Sequence, residues 1–458
     1  MPKKKTALTI EERLQQALVP AEEQPYEVPE NWVWVRLGDV NKYISKSVNP
    51  ISEPDKIFEL YSVPSMVDNY PEIIAGSDIG SSKQSVCKKD VLLCKINPRI
   101  NRVWKVSQFT DNELIASSEW IIIRNNHIDA NYLMYCFQSK YFREFMLSNV
   151  SGVGGSLMRA QPKYVQTYPI PLPPLSEQQR IVERIEELFA KLDEAKERLQ
   201  EVADSFAVRK AAILHKAFTG ELTKQWRLEN GVSDESWEES NLGSFIACGP
   251  QNGLYKPKSS YGDGIRIIRI DAFYDGVIEQ WDELKRLRLD ENEIECYSLN
   301  LNDILINRVN SMQYLGKSAL VRELKDICVF ESNIMRLSVD ESRIYPEFLI
   351  SFLNSQMGLN ELRKNAKQAV NQASINQQDI KNVIINLPAL SEQHEIVRLI
   401  DELLAREHKA QQATEQALVS IDLMKKSILA RAFRGELGTN KASEASALEF
   451  LKQVLAEN

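Results

Sequence analysis

A chain of 458 residues is long enough for two or more domains, and 43% hydrophobic with 26% charged residues is the balance of a globular protein rather than a disordered or fibrous one. No apolar run approaches the roughly 20 residues needed to cross a bilayer, and the lysines of MPKKKTALTIEERLQQAL are not followed by the apolar stretch of a signal peptide. A net charge of −8 argues against binding nucleic acid through the overall field, so any such contact must come from local patches or be shared with a more basic partner.

Residues 1–30 form an N-terminal segment with one short helix, TIEERLQQAL. A first globular stretch follows at 31–170, with 16 basic and 13 acidic groups. It opens with WVWVRLG and continues with an apolar strand after an aspartate, DVLLCKINPRIN (90–101). A β-like run, EWIIIR, is followed by an amphipathic helix, ANYLMYCFQSKYFREFM, and a polar loop, SGVGGSLMRAQPK.

Residues 171–222 read as one long helix. The prolines of PIPLPPL punctuate its start, Ser176 is the expected N-cap, and Gln179 stands three residues on, as in a capping box. Apolar residues then alternate four and three apart at Ile181, Ile185, Leu188, Leu192, Ala195, Leu199, Val202 and Phe206. That spacing draws one narrow apolar stripe along a helix, the mark of a coiled-coil seam. Gly220 ends the helix, which would be roughly 65 Å long at 1.5 Å per residue.

After a linker at 223–235, a second globular stretch occupies 236–386, with 17 basic and 21 acidic groups. Its sequence differs from the first, but its landmarks come in the same order: WEESNLG, DILINRVNS (303–311), SNIMRL, the helix PEFLISFLNSQMGLNEL and the polar loop KQAVNQASINQQD. Residues 387–437 repeat the long helix at a fixed offset of 215, with 22 of 51 positions identical where chance gives about three. The copy keeps Ile396, Ile400, Leu403, Ile421 and Ile428 on its stripe, and Gly435 at its end. Residues 438–458 form a C-terminal tail whose helix, SALEFLKQVLAEN, is expected to pack with the N-terminal one. The order predicts one α/β (α+β) domain fold used twice and a long helix used twice. Helices that stayed alike suggest a common partner bound twice; domains that diverged suggest two different targets.

Signals for catalysis are weak. LGKSAL (315–320) has Ser311 where a phosphate loop needs its first glycine. GVGGS lacks dinucleotide spacing, and INPRI lacks the second proline and aromatic of an adenine methyltransferase motif. Asp271, Glu283 and Lys285 are spaced like a metal-dependent nuclease only as chance allows in so charged a chain. The cysteines (87, 94, 136, 248, 296, 328) form no CxxC pair and suit a reducing cytoplasm better than zinc or disulfides. No catalytic residue, metal ligand or cofactor site is expected, and binding or scaffolding is the better class.

Three features carry a resemblance: PLPPLSEQQRIVERIEELFAKLDEA with its echo LPALSEQHEIVRLIDELLA, the helix endings KAFTGELT and RAFRGELG, and the opening PYEVPENWVWVRLGDV (25–40). With the 215-residue repeat, the chain resembles the specificity subunits of Type I restriction–modification systems from about residue 25 to 437. The second copy departs from the motif at Ala389 and His394. The resemblance implies two target-recognition domains of like fold, separated by two long antiparallel coiled-coil helices with pseudo-twofold symmetry. It implies double-stranded DNA as ligand, each domain reading half of a split asymmetric target. It also implies two modification subunits that methylate adenine N6 with S-adenosylmethionine, and two restriction (motor-nuclease) subunits that use ATP and Mg²⁺, with no cofactor in this chain. The alternatives are a specificity chain of a Type IIB-like system, or an interaction scaffold that binds no DNA.

Reading bases in the major groove takes Arg or Lys for guanine and Asn or Gln for adenine, on loops that reach it. The candidates in the first domain are Lys46, Lys83, Asn97, Arg99, Asn101, Arg102, Arg159, Gln161 and Lys163. In the second they are Gln251, Asn252, Tyr255, Lys256, Lys258, Arg308, Asn310, Gln313 and Lys317, with GPQNGLYKPKSSYGDG (249–264) the richest single stretch.

Overall fold

A computed structural model describes residues 8–152, 158–233, 235–370 and 372–456. The chain divides into two compact units, one of residues 1–199 with 416–458 and the other of residues 200–415. Each unit therefore owns one globular stretch and part of each long helix.

In the first unit the globular stretch is closed at its base by its own two ends. Strand Val33–Arg36 pairs antiparallel with Pro169–Leu172, Val33 opposite Leu172 and Arg36 opposite Pro169. Strand Val91–Cys94 lies between Val103–Lys105 and Trp120–Ile123, and all four of its side chains are buried. This is the continuous apolar run expected of a strand covered on both faces. A five-stranded sheet orders Ser47–Val48, Lys83–Ser85, Glu113–Ala116, Ile57–Tyr61 and Glu72–Ala75, with Ile57–Tyr61 parallel to Glu113–Ala116.

The second unit repeats this plan. Glu238–Asn241 pairs with Ile384–Leu387 at the base. Ile304–Asn307 lies between Ser318–Leu320 and Ile334–Val339, and Tyr261–Ile268 runs parallel to Cys328–Phe330. Even the turns match. Asp90 accepts the Cys87 N–H at 2.7 Å after Lys89 at φ 76°, and Asp303 accepts the Asn300 N–H at 2.7 Å after Asn302 at φ 66°. Each buried aspartate faces an arginine, Arg124 at hydrogen-bond distance and Arg336 at 4.0 Å. Burial pushes the Asp303 carboxyl up, partly offset by the Asn300 N–H and Arg336.

The single amphipathic helix expected near the end of each domain is two helices. Ala130–Gln138 stops at Ser139, whose backbone turns extended (ψ 154°) and whose hydroxyl donates to the Cys136 carbonyl at 2.6 Å, before Lys140–Ser148 begins. Pro346–Leu353 and Gln356–Arg363 break likewise at Ser355, which donates to Phe352 at 2.6 Å. A serine that bonds its own backbone competes with the helix there, and apolar periodicity does not report this.

The long helices are Leu175–Phe218 and Leu390–Ala432. They begin before Ser176 and Ser391, so neither serine is the N-cap. The first free amides, of Glu177 and Gln178, bond to the Pro174 carbonyl, and those of Glu392 and Gln393 to Ala389. Both helices end on glycines at φ 76°, Gly220 and Gly435, a conformation that costs any residue with a Cβ. Within the first unit the helices run antiparallel: Asp193 pairs with Lys425 and Lys196 with Asp422, three residues up one helix and three down the other. In the second unit Arg209 reaches Glu407 at 2.8 Å and stacks on Phe206.

Along the predicted seam Ile181, Ile185, Phe206, Ile396, Ile400 and Ile421 are buried, while Leu188, Leu192, Leu199, Leu403 and Ile428 are half-buried. Val202 is 40% exposed and is not a seam residue in the sense expected. A two-helix contact shields only one side, so a short branched side chain keeps contact with water where Phe206 reaches across. The ends are covered more thoroughly: Ile181, Ile185 and Phe433 join the core of the first domain, and Leu214, Phe218, Ile396 and Ile400 that of the second. The terminal helices Ile10–Ala17 and Ala447–Ala456 pack together, and Arg13 donates to the Leu455 carbonyl at 3.2 Å.

Candidate nucleic-acid interface

In each unit the loop that leaves the central buried strand is pinned by two backbone hydrogen bonds. Lys95 donates to the Glu119 carbonyl at 3.0 Å and accepts from Ala160 at 2.8 Å. Arg308 donates to Asn333 at 2.8 Å and accepts from Ile375 at 3.0 Å. Lys95 and Arg308 thus hold the same post in the two domains, five residues after Asp90 and Asp303.

The next residues are equivalent too. Ile96 bridges Arg159, and Val309 pairs with Ser374. Asn97 donates its amide to Met158 at 2.8 Å, and Asn310 pairs with Ala373. Gln161 then opens the turn Pro162–Val165, while Asn376 opens Gln377–Lys381. The glycines of WVWVRLG and WEESNLG allow this return: a Cβ on Gly38 would meet the Gln166 carbonyl at 2.9 Å, and one on Gly243 the Lys381 carbonyl at 3.1 Å.

Of the first-domain candidates, Asn97, Arg99, Asn101, Arg102, Arg159, Gln161 and Lys163 gather along this junction. Asn97 and Asn101 have left-handed backbones, at φ 48° and 52°. The Asn97 side-chain Oδ1 is buried without a hydrogen-bond partner among the described residues, whereas the Asn101 side-chain amide donates to the Gln138 carbonyl at 3.2 Å. Arg99, Arg159 and Lys163 are exposed, and Arg159 has a loose partner in Glu119 at 3.4 Å. Lys46 and Lys83 lie elsewhere: Lys46 immediately precedes the strand Ser47–Val48, and Lys83 opens its partner Lys83–Ser85. Burial lowers the Lys83 pKa, and its ammonium donates to Ser81.

In the second domain Arg308 and Asn310 lie at the junction, and Gln313 is on the exposed loop beyond. Asn252 joins Arg308, Asn376, Gln377, Gln378 and Lys381 around a concave site of about 410 Å³. Tyr255, Lys256 and Lys258 line a separate, larger cleft of about 1080 Å³ with Tyr261, Lys285 and Arg286. Tyr255 is 80% exposed, and Lys256 pairs with Glu293 at 2.5 Å. Two candidates are engaged internally. Gln251 bridges Arg336 and the Cys296 carbonyl. Lys317 donates to the Ile270 carbonyl at 2.8 Å and sits 3.8 Å from the Tyr274 ring, where burial lowers its pKa.

The sequence reading missed Lys95, Gln377, Gln378 and Lys381. The signal was available: the 215-residue offset of the helices, carried back to the preceding loop, maps Gln161 onto Asn376 and Lys163 onto Gln378. Asp271, Glu283 and Lys285 do line one small cavity of about 130 Å³, with Glu279. Among the described residues, no three His, Cys, Asp or Glu side chains are placed to hold a metal ion, and no helix is long and apolar enough to cross a membrane.

The fold and its paired loop junctions define a duplicated recognition protein, two copies of one α/β scaffold with different side chains at matching posts. A family model described as the Type I restriction modification DNA specificity domain matches residues 29–204 and 234–417, and the chain belongs to that family. It is 34% identical over 313 residues to the StySPI specificity subunit of a Type I restriction enzyme from Salmonella potsdam, spanning 68% of this chain and 66% of that one. It is 28% identical over 341 residues to the EcoKI specificity subunit from Escherichia coli K12, spanning 72% of each. The fold is that of the HsdS subunit from Thermoanaerobacter tengcongensis (TM-score 0.63, 23% identity, 91% of this chain and all of that one). A chain from a structure describing assembly of the type I R-M system gives a TM-score of 0.70 at 22% identity, covering 90% of this chain and all of that one.

Proposed function

We propose that this chain is the DNA-reading subunit of a Type I restriction–modification complex. Each domain reads one half of a bipartite, asymmetric target in double-stranded DNA. The repeated long helices recruit two modification subunits, which methylate adenine with S-adenosylmethionine, and two restriction subunits join to use ATP and Mg²⁺. The chain itself carries no catalytic residue and no cofactor, and works in the cytoplasm beside its partners. The observation that carries the reading is the pair of equivalent junctions, Lys95 to Lys163 and Arg308 to Lys381, rich in cations and amides on matching backbones. Local cations with an acidic remainder suit a subunit whose partners supply much of the phosphate contact.

Single-molecule methylation sequencing of cells carrying the chain with its modification subunit tests this. A methyl-adenine pattern in a two-part asymmetric motif, one mark per half and strand, is expected. No new motif in cells where the complex demonstrably assembles would overturn it in favour of a scaffold.

A further inference from the structure

We infer that the concave site of about 410 Å³ in the second domain takes the major-groove edge of a base pair, and that Arg308 in its lining is the specificity-determining residue, reading a guanine. The inference rests on the DNA-reading role proposed above.

The lining separates base reading from phosphate binding. Phosphate sites are built from clustered cations, whereas base edges present paired donors and acceptors that amides and guanidinium groups match. Here Asn252, Gln377 and Gln378 are exposed amides, and Lys381 is the one other cation of the lining. The nearby carboxylate, Asp379, accepts the Asn376 backbone N–H at 2.7 Å in a capping box, so it is engaged on the helix rather than opposed to the arginine.

Arg308 is prepared for a planar acceptor pair. Its backbone is fixed on both sides by Asn333 and Ile375, and one guanidinium nitrogen donates to the Ser332 carbonyl at 3.2 Å. Its Nε is buried with no hydrogen-bond partner among the described residues. Nε is closed to a docking base, so the terminal end of the guanidinium is the edge that reads, and its planar fork matches O6 and N7 of guanine. Lys95 at the equivalent post in the first domain is a point charge without that fork, so the two halves of the target are read by different chemistry from the same backbone position.

The test uses the full chain assembled with its modification subunit. Methylation sequencing of cells carrying Arg308→Ala or Arg308→Lys is compared with wild type, and the same complexes are titrated with DNA carrying each substitution in each half of the motif. The expected result is a motif that becomes degenerate at one G·C position of one half, with discrimination there falling about tenfold or more and the other half unchanged. Gln377→Ala, at an exposed position, is expected to relax the same half and guards against a folding defect in the arginine variants. An unchanged motif overturns the inference. So does a uniform loss of affinity across all sequences, which is the signature of a phosphate contact. Absence of any motif with the wild-type chain would instead count against the DNA-reading role itself.

Discussion

Trp32 donates its indole N–H to the buried carboxylate of Glu177 at 2.8 Å. The repeat places the same bond between Trp237 and Glu392, at 3.1 Å. Each tryptophan opens a domain and each glutamate opens a long helix, so the bond fixes helix to domain twice. The adjacent glutamines complete the joint. Gln178 accepts the Asp129 N–H at 2.9 Å and donates to Pro173, and Gln393 accepts the Tyr345 N–H at 2.7 Å and donates to Pro388.

The two glutamates differ in their remaining partners, and this predicts unequal responses to one substitution. Glu177 takes neutral donors besides Trp32, from Asn440 at 2.9 Å and Thr439 at 3.4 Å. Glu392 takes the Thr223 hydroxyl at 2.6 Å and the buried Arg227 guanidinium at 2.7 Å. In Glu177→Gln the amide oxygen still accepts from Trp32, and a loss on the order of 1 kcal/mol is expected. In Glu392→Gln the buried ion pair with Arg227 becomes a hydrogen bond to a neutral amide, and the larger loss of about 1.5–3 kcal/mol typical of a charged hydrogen bond is expected. Urea unfolding of the two variants checks this, and equal losses would refute the assignment.

Glu177 also predicts a pH dependence. Burial raises its pKa above the ordinary glutamate value, against the opposing hydrogen bonds of Trp32 and Asn440. A carboxyl whose pKa is higher folded than unfolded contributes most stability below its unfolded value, and loses that contribution as pH rises through the folded one. The stability of wild type relative to Glu177→Gln should therefore fall with rising pH across that window. Thermal unfolding of both proteins at a series of acidic pH values measures the difference. A difference that grew with pH would show that the hydrogen bonds outweigh burial.

Much of this architecture was legible in the chain. The seam spacing and the glycine-ended repeat gave the long helices, and matched landmarks such as Asp90 and Asp303 gave the duplicated domain. The joint is hidden in the sequence because Ser176 has the chemistry of an N-cap, while the residues that act are the glutamate and glutamine beside it. Nothing local in the sequence says that Glu177 is buried; that follows from Trp32 and Asn440, distant in sequence. The reading junction was half legible. Arg159, Gln161 and Lys163 stand out as cations and amides, whereas their counterparts Ser374, Asn376 and Gln378 carry no charge and emerge only when the 215-residue repeat is extended back from the helix into the loop before it.

Lys317 separates a structural lysine from a DNA-reading one. Its ammonium donates to the Ile270 carbonyl at 2.8 Å and lies over Tyr274 at 3.8 Å, with Phe273 and Tyr314 farther off. Lys317→Ala removes that hydrogen bond and a cation–π contact, and should destabilise the fold by about 1–2 kcal/mol. The methylation motif should be unchanged. A shifted motif with full stability would return this residue to the interface.

Lys258 and Lys256 share one cleft but not one environment, and salt dependence should tell them apart. Lys258 is exposed at the start of a short turn, whereas Lys256 pairs with Glu293 at 2.5 Å. A lysine that neutralises a phosphate contributes roughly one released counterion to binding, so its loss lowers the slope of log affinity against log salt by about 1. Lys258→Ala should show that change in full. Lys256→Ala should show less, because its charge is already opposed by a carboxylate that DNA would have to displace. Neither substitution should impair assembly with the modification subunit, since the cleft belongs to the domain and not to the repeated helices. Affinity for a cognate duplex measured across a salt series, with assembly followed by size-exclusion chromatography, checks both statements. Failed assembly with DNA affinity intact would mean that the cleft binds protein.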